Sequence, residues 1–296
     1  MHIGAHISSA GGLPKVFDRA AAIGAEAMQI FPSAPQQWRA PAYTDQHVEE
    51  FRARHTAWPI PVFFHGVYLI NLGSSDEALL SRSVESLKQS LLWAERLGVR
   101  GTIFHVGSHL GAGWDEALVK NVCARMREAL DAVPNDRLLI LENNAGQGNC
   151  IGGKWDELAA IIHGLDDDPR VAVCIDTCHA FAMNYDIASA AGCEAAMAEF
   201  SATVGLDRLV AVHANDSKVP LAGLRDRHEN IGDGYIGLDG FATIMRHPAF
   251  RDIPFLLEVP GLKNDGPDVE NVMRLKAIRA GIGLPAPDHA KRPPVA

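Results

Sequence analysis

The feature that most constrains the fold of this chain is a regular alternation of short apolar runs with longer segments of helical periodicity. The apolar runs are typical of buried parallel strands, and we expect strands near residues 2–6, 26–31, 60–65, 101–106, 137–142, 171–176, 208–213 and 253–258. The helical segments follow at 13–23, 45–56, 77–97, 115–131, 154–163, 190–204, 237–246 and 268–280. Eight strand–helix units in succession predict an α/β fold, the (β/α)₈ TIM barrel, with an open doubly wound sheet as the alternative.

The length of the chain agrees with a single barrel domain. A chain of 296 residues that is 47% hydrophobic and 21% charged can bury a large core, and such a barrel needs about 250 residues. We expect the barrel to occupy residues 1–283. Residues 284–296 (LPAPDHAKRPPVA) are rich in proline and alanine, so we expect a disordered tail there and give its His289 no role.

Composition and charge exclude several classes of protein. The sequence has no run of 18 apolar residues, so we expect no transmembrane helix. MHIGAHISSAGG lacks the regions of a secretory signal, and five cysteines without a CxxC pair suit a reducing compartment, so we expect a cytoplasmic protein. A net charge of −9 argues by itself against a nucleic-acid partner, whereas the 13 histidines are an unusually large number and a first indication of function.

Residues that can bind metals or transfer protons end six of the predicted strands. They are His65, His105, Glu142, Asp176, His213 and Glu258. In a barrel, the carboxyl ends of the strands meet at one face, which is where barrel active sites lie. A single residue of this kind is more often an ordinary capping or loop residue, but that explanation does not account for six that converge.

A cluster of these groups requires a cation. Carboxylates crowded at one mouth would repel each other and raise each other's pKa values unless a cation neutralised them. Imidazole with carboxylate is the ligand set of Zn²⁺, with Mn²⁺ or Fe as substitutes. Two loop motifs add candidates, His179 in CIDTCH and Asp226 with His228 in DRH. Nine ligands are too many for one tetrahedral ion and predict two or three ions that share a carboxylate.

Other histidines and cysteines are weaker candidates. His109 follows His105 by four residues, but the glycine at position 107 favours a loop position or a contact to a ligand over ligation itself. For His6, a place at the mouth and a packed core position are equally open. We expect Cys174 and Cys178 to be buried apolar residues rather than a thiolate site.

Nine stretches of the sequence together resemble one known family. They are GAHISSAGG, QQWRAP, YLINLGS, FHVGSHLG, ENNAGQG, AVCIDTCHAF, VHANDSK, RDRHENIGDGYIG and FLLEVPG. From about residue 3 to 282 the chain is similar in these stretches to the bacterial endonuclease IV family of apurinic/apyrimidinic endonucleases. The resemblance implies a xylose-isomerase-like barrel with three zinc ions. It also implies cleavage of duplex DNA on the 5′ side of abasic sites, which leaves a 3′-hydroxyl and a 5′-deoxyribose phosphate, and a 3′-phosphatase or phosphodiesterase activity on blocked 3′ ends.

The resemblance assigns the nine candidate ligands to three ions, with Glu142 bridging the first two. It gives His65 and His105 to the first ion, Asp176, His213 and Glu258 to the second, and His179, Asp226 and His228 to the third. A hydroxide bridging two zinc ions would attack phosphorus in line, and the third ion would stabilise the departing 3′ oxygen. Glu142 and Glu258 are the expected catalytic residues, and Glu258 would also orient the nucleophile.

DNA recognition is where the sequence departs from the family's pattern. The resemblance implies DNA contacts for Gln36, Tyr68 and Leu69, and we add Arg39, Lys218 and Arg227 because they fall in or near the predicted mouth loops. The family inserts an arginine into the base stack at the position of Gln36, and glutamine lacks the charge and planar stacking of a guanidinium. Gly66 stands where the family usually has an acid. Three Zn²⁺ ions would bring the net charge from −9 to −3, and cations near the mouth would give a local positive footprint.

Two other functions are weighed against this one. A metal-dependent sugar isomerase or epimerase of the xylose-isomerase-like barrels would use similar strand-end residues, but a sugar site needs neither the Asp226–His228 pair nor the Tyr68–Leu69 wedge. A non-enzymatic damage-binding protein is disfavoured by the intact ligand set. We expect a monomer, because the barrel closes its own sheet, in the bacterial cytosol and associated with the nucleoid when it acts.

Overall fold

The eight apolar runs become the strands of a closed parallel barrel in the computed structural model, which describes residues 1–287. In chain order the strands are β1 (Ile3–His6), β2 (Met28–Ile30), β3 (Val62–His65), β4 (Gly101–Phe104), β5 (Leu138–Glu142), β6 (Val171–Asp176), β7 (Leu209–His213), β8 (Asp216–Ser217), β9 (His228–Glu229) and β10 (Phe255–Leu257). The short β8 and β9 form a separate antiparallel hairpin. The prediction of a (β/α)₈ barrel is confirmed, and the open doubly wound sheet is excluded.

Helices follow the barrel strands and cover the outside of the barrel. They are α1 (Lys15–Ala22), α2 (Asp45–Ala57), α3 (Glu77–Leu97), α4 (Glu116–Ala132), α5 (Trp155–Gly164), α6 (Thr177–Ala182), α7 (Ala190–Thr203), α8 (Gly237–Arg246) and α9 (Val269–Gly281), with 3₁₀ turns at Leu206–Arg208 and Pro248–Phe250. Local chemistry fixes their ends. In α3, for example, the Asp76 carboxylate accepts the N–H groups of Ala78 and Leu79 at the start, and Gly98 ends the helix with a φ of 72°.

The strands close in the order β1, β10, β7, β6, β5, β4, β3, β2, so the first and last barrel strands are neighbours. Two apolar layers result. The larger lies between the strands and the helices. The smaller fills the inside of the barrel and includes Ala27, Phe63, Ile103, Ile140, Cys174, Ala211 and Leu256. This inner layer closes the barrel below its mouth and leaves only the carboxyl ends of the strands for a polar site.

A buried ion cluster joins the first and last parts of the chain at the amino ends of the strands. Glu26, just before β2, contacts Nη1 and Nη2 of Arg279 on α9 at 2.5 and 3.0 Å and Nζ of Lys276 at 3.0 Å. It also accepts the N–H of Ile3 at 2.9 Å. Burial alone would raise the pKa of Glu26, but these donors lower it below its ordinary value. The cluster therefore holds an ionised carboxylate in the protein interior.

The segment after α9 is only partly described. Residues 284–287 contain no helix or strand, and the remainder of the expected tail, with His289, lies outside the described residues. None of the helices within residues 1–287 is long and apolar enough to cross a membrane.

Candidate metal centre

One side chain from each barrel strand contributes to a polar layer at the carboxyl ends. The layer consists of His6, Gln29, His65, His105, Glu142, Asp176, His213 and Glu258. Seven of these residues follow, at a spacing of two, a residue of the apolar inner layer. Because alternate residues of a strand share a face, the same pleat that fills the barrel with apolar side chains directs these polar ones into its mouth.

Glu142 is fully buried, and its two oxygens face different imidazoles. Oε2 lies 3.1 Å from Nε2 of His65 and 3.5 Å from Nε2 of His105. Oε1 lies 3.0 Å from Nδ1 of His213. A carboxylate in this position can serve two cation sites at once.

The imidazole of His213 is surrounded by acids. Besides Glu142, its Nδ1 faces Oε2 of Glu258 at 3.3 Å and Oδ2 of Asp176 at 3.9 Å. The ligand atoms of Glu142, Asp176, His213 and Glu258 all lie within 4.8 Å of one another. These four residues form a second group that shares Glu142 with the first.

The third group is built by two small elements that follow β6 and β7. Asp176 accepts the N–H of His179 through Oδ1, which caps α6 and places His179 over the mouth. The β8–β9 hairpin brings Asp226 and His228 to the same place. Oδ1 of Asp226 lies 3.2 Å from Nε2 of both His179 and His228. The structure thus places all nine predicted ligands in three neighbouring groups.

Most of these imidazoles are held through their second ring nitrogen. The Nδ1 atoms of His65, His179 and His228 face the backbone carbonyls of Gly66 at 2.8 Å, Asn143 at 2.9 Å and Glu258 at 3.3 Å. An imidazole that donates through Nδ1 keeps Nε2 free as a ligand atom. In each case Nε2 faces an acid of the cluster, and Nδ1 of His179 additionally lies 3.4 Å from Oε1 of Glu142.

The residues fit a group of cations better than a network of hydrogen bonds. Nε2 of His179, Nε2 of His228 and Nδ1 of His105 are buried and make no hydrogen bond within the described residues. Two of these atoms lie 3.2 Å from one carboxylate oxygen, yet without hydrogen-bond geometry. Ligand atoms about 2.0–2.1 Å from a tetrahedral Zn²⁺ are about 3.3 Å apart. The donor set and these separations therefore suit zinc.

Acids and imidazoles shift each other's protonation. Burial alone would lower the pKa of His179, but the carboxylates of Asp176 and Asp226 raise it to about 10. The same carboxylates overcome burial at His228 and raise its pKa to about 9. Burial alone would raise the pKa of Glu142, yet the imidazoles around it hold the pKa well below its ordinary value. A metal that binds here would displace protons from imidazole.

The other histidines and cysteines considered above lie in a loop, at the mouth or in the protein interior. Nδ1 of His109 accepts the N–H of Gly113, so His109 shapes its own loop. His6 lies at the mouth, with Nδ1 3.4 Å from Glu258. Cys174 and Cys178 are fully buried, as expected, but Cys178 also forms a fourth candidate group with Asp176 and His228, in which the ligand atoms lie within 4.8 Å of one another.

Sequence reasoning missed three amides that hold the ligands. Asn215 donates to Oδ2 of Asp176 at 2.7 Å and accepts the N–H of Glu258. Asn143 bonds the backbone of Asp176 in both directions. The third amide, Gln29, lies on β2. The sequence carried a signal for Gln29, since a polar residue inside an apolar strand is buried and a buried amide must find hydrogen-bond partners.

The expected DNA-contact residues differ in how close they lie to the barrel mouth. Tyr68 and Leu69 line a cavity of about 580 Å³ together with His105 and Asp226. The ring of Tyr68 is 57% exposed, and its centroid lies 5.9 Å from that of His65.

The other expected contacts lie farther out on the rim. Gln36 and Arg39 are exposed on the loop after β2, and neither lines the cavity with His105. The backbone N–H of Lys218 donates to Arg227, so these two are neighbours across the hairpin. Nζ of Lys218 lies 3.8 Å from Glu229.

The chain is similar along most of its length to proteins named probable endonuclease 4. The sequence profile of the family described as xylose isomerase-like TIM barrel matches residues 17–280. A protein of that name from Chlorobium phaeobacteroides is 42% identical over 262 residues, which are 88% of this chain and 92% of that protein. Another, from Halothermothrix orenii, is 38% identical over 93% of this chain and 99% of its own length.

Solved structures extend the similarity to three dimensions. The crystal structure of endonuclease IV from Thermus thermophilus is 34% identical and matches with a TM-score of 0.81, covering 95% of this chain and 98% of that one. A D-tagatose 3-epimerase-like protein matches with a TM-score of 0.72 at 17% identity, over 95% and 98% of the two chains. At that identity the second match concerns the fold alone.

Proposed function

The chain belongs to the endonuclease IV family of xylose isomerase-like TIM barrels, and on that premise we propose that it is a metal-dependent endonuclease of DNA repair. The proposed reaction hydrolyses the phosphodiester on the 5′ side of an abasic site in duplex DNA. Water adds to phosphorus and the bond to the 3′ oxygen breaks, which leaves a 3′-hydroxyl and a 5′-deoxyribose phosphate. The convergence of nine ligand residues in three groups at one mouth carries this proposal.

We propose three Zn²⁺ ions as the cofactor, with Mn²⁺ or Fe as substitutes at one or more positions. The three groups described above would hold them, and the unpartnered imidazole nitrogens and the shared carboxylate support that assignment. When bound, such ions lower the pKa of a coordinated water and neutralise charge on a phosphate and its leaving oxygen. The same chemistry suits the removal of phosphate or phosphodiester groups that block 3′ ends.

Two carboxylates are the proposed catalytic residues. Glu142 is buried between two groups of imidazoles, and each of its oxygens serves one of them. Glu258 is held by Gln29 through Oε1, which leaves Oε2 to face His213 at 3.3 Å. That remaining oxygen is placed to orient an attacking water.

The loops after β2 and β3 are proposed to open the DNA at the lesion. The N–H of Tyr68 donates to the carbonyl of Pro35 at 2.9 Å, which ties the loop that carries Gln36 to the one that carries Tyr68 and Leu69. Exposed apolar and aromatic side chains next to a hydrolytic site suit insertion between bases. Arg39, Lys218 and Arg227 are proposed to contact the phosphate backbone, since cations supply most of the affinity for DNA.

We further propose a monomer that acts in the bacterial cytosol, associated with the nucleoid when it is bound to damage. All five cysteines are free, which suits a reducing compartment. All eight barrel strands are paired on both sides, so the sheet offers no edge to a second copy.

The test is a duplex that carries one tetrahydrofuran abasic analogue, incubated with the zinc-loaded protein with and without a tight zinc chelator. The analogue cannot undergo β-elimination, so a cut on its 5′ side must be hydrolytic. We expect cleavage that the chelator abolishes and a product that a DNA polymerase extends, with the undamaged duplex left whole. An intact analogue duplex in the presence of zinc-loaded protein would overturn the proposal, and sugar isomerisation would be tested next.

A further inference from the structure

Gln29 lies in the polar layer at the barrel mouth but is not among the candidate ligands. Its side chain is fully buried and contacts three members of the layer. Its Oε1 lies 2.8 Å from Nε2 of His213, and its Nε2 lies 2.6 Å from Oε1 of Glu258 and 2.9 Å from Nδ1 of His6. One amide therefore joins β2 to residues at the ends of β7, β10 and β1.

The hydrogen-bond roles within this set follow from the chemistry of Glu258. An ionised carboxylate only accepts hydrogen bonds, so the NH₂ group of Gln29 must face Glu258 and its oxygen must face His213. An amide oxygen only accepts, so Nε2 of His213 must carry a proton. Its Nδ1 is then the atom that remains for a ligand, and this is the atom that faces Glu142 and Glu258. The second N–H of Gln29 makes His6 an acceptor at Nδ1.

His213 differs in this respect from the other held imidazoles of the site. His65, His179 and His228 are held by backbone carbonyls, which no side-chain substitution removes. They also present Nε2 to the cluster, whereas His213 presents Nδ1. Among these four, only His213 has its ligand atom selected by another side chain.

We propose that Gln29 is a positioning residue that selects Nδ1 of His213 as a ligand atom and holds Glu258 beside it in the same group. The inference rests on the metal-ligand roles that the proposed function gives to His213 and Glu258. Because both residues belong to the second group, loss of the amide weakens one cation site and spares the other two. The side-chain hydrogen bonds of Gln29 go to members of the polar layer, and Gln29 does not line the cavity formed by Tyr68 and Leu69.

The first readout is zinc binding without DNA. Q29M replaces the amide by an apolar side chain of similar length. T102V is the matched control, since Thr102 is also a buried strand residue and its hydroxyl makes no hydrogen bond within residues 1–287. Competition with a chromophoric chelator should show one of three zinc ions bound about 10- to 100-fold more weakly in Q29M. T102V should bind all ions as the parent does.

The second readout is the ring proton of His213 in the zinc-loaded protein, observed by ¹⁵N-resolved NMR. The parent should show a protected Nε2–H resonance, and Q29M should lose or shift it. Q29E keeps an oxygen that accepts this proton, so it should retain the resonance even though it cannot donate to Glu258. If Q29M folds and keeps both the resonance and the zinc affinities, the proposal is wrong.

Neither readout uses nuclease activity. A protein that fails to cut abasic DNA while Q29M loses a zinc ion would refute the proposed reaction and leave the role of Gln29 standing. A zinc-dependent nuclease whose Q29M variant binds zinc as the parent does would refute the role of Gln29 alone.

Discussion

The two ends of the barrel each bury a carboxylate but neutralise it differently. At the amino ends, Glu26 is bound by Arg279 and Lys276, whose charges are permanent at ordinary pH. At the carboxyl ends, Glu142 faces imidazoles such as His65, which are cationic only when protonated and can bind a metal when neutral. The cluster at the amino ends, the lower end of the barrel, satisfies its carboxylate with side chains of the protein. At the carboxyl ends, the upper end, some imidazole nitrogens make no hydrogen bond to any residue that the structure describes.

This difference separates stability from function within one fold. A buried carboxylate with its own guanidinium partner contributes to the stability of the fold mainly while the ion pair is intact. Removing one partner leaves an uncompensated buried charge. A buried carboxylate surrounded by imidazoles, which can release their protons to a metal, keeps a place for a cation from solution. The lower end should therefore respond to mutation in its unfolding free energy and the upper end in its activity.

The largest effect should come from E142Q at the upper end. The amide keeps the shape of the side chain but cannot bridge two cations, so kcat on the tetrahydrofuran duplex should fall about 10³-fold, the scale of losing a main electrostatic contribution to the transition state. E26Q makes the same change at the lower end and should keep the parent kcat at 25 °C. Normal cleavage by E142Q with full metal content would remove the distinction between the two ends.

The next effect should come from R279M, measured by urea unfolding. Arg279 is 5% exposed and binds both oxygens of Glu26, so its loss should cost about 3–5 kcal/mol of unfolding free energy. R274M on the same helix is the control, since the pair of Arg274 with Asp233 is partly exposed and should matter by at most about 1 kcal/mol. If R279M instead lowered kcat in the folded protein, stability would not depend on one end of the barrel and activity on the other.

The pH dependence of stability gives a smaller and more specific difference. The folded pKa of Glu26 lies below its ordinary value of 4.5, so the unfolded chain binds more protons in acid. The stability that this carboxylate contributes is present above pH 4.5 and is lost as the pH falls through the folded pKa. Unfolding free energies of the parent and E26Q, both in excess chelator, should therefore converge at acid pH. If the two plots of unfolding free energy against pH stay parallel, Glu26 is not the source of this pH dependence.

The smallest effect should come from Q36R, which separates DNA recognition from cation binding at the upper end. A guanidinium would bring charge and planar stacking to the position where the resemblance implies a side chain in the base stack. We expect the KM for the abasic duplex to fall about fivefold, equivalent to roughly 1 kcal/mol, with kcat and zinc content unchanged. Q37R, one residue along the same loop, is the charge-matched control. An equal gain in Q37R would show that net charge, not position, is responsible.

Sequence patterns predicted the barrel because the barrel strands are buried on both faces and the helices other than α6 are long enough to show their period. They missed α6 and the β8–β9 hairpin, since six and two residues are too few to show a period. Yet these small elements carry His179 and His228, which the motifs identified by residue type alone. Residue type therefore identified these two candidate ligands, although the secondary structure around them was not predicted.

The sequence predicted that the nine candidate ligands lie together, but not which residues hold them in place. Strand-end acids and histidines stand out because they interrupt apolar runs at a common point. Asn215 and Asn143 act through contacts between segments distant in sequence, which no local pattern encodes. The residues on either side of Gln29 are apolar and typical of a buried core. The positions of Lys218 and Arg227 depend on the hairpin, and whether either binds DNA stays a prediction.

The pairing of β1 with β10 also bears on how the protein is made. A nascent chain that has not yet released residues 255–257 from the ribosome holds seven barrel strands with two unpaired edges and lacks Glu258 and Arg279. The contact that closes the sheet spans some 250 residues of sequence, so it forms late in synthesis. Products of premature termination before β10 therefore lack both the closed sheet and Glu258, one of the nine candidate ligands.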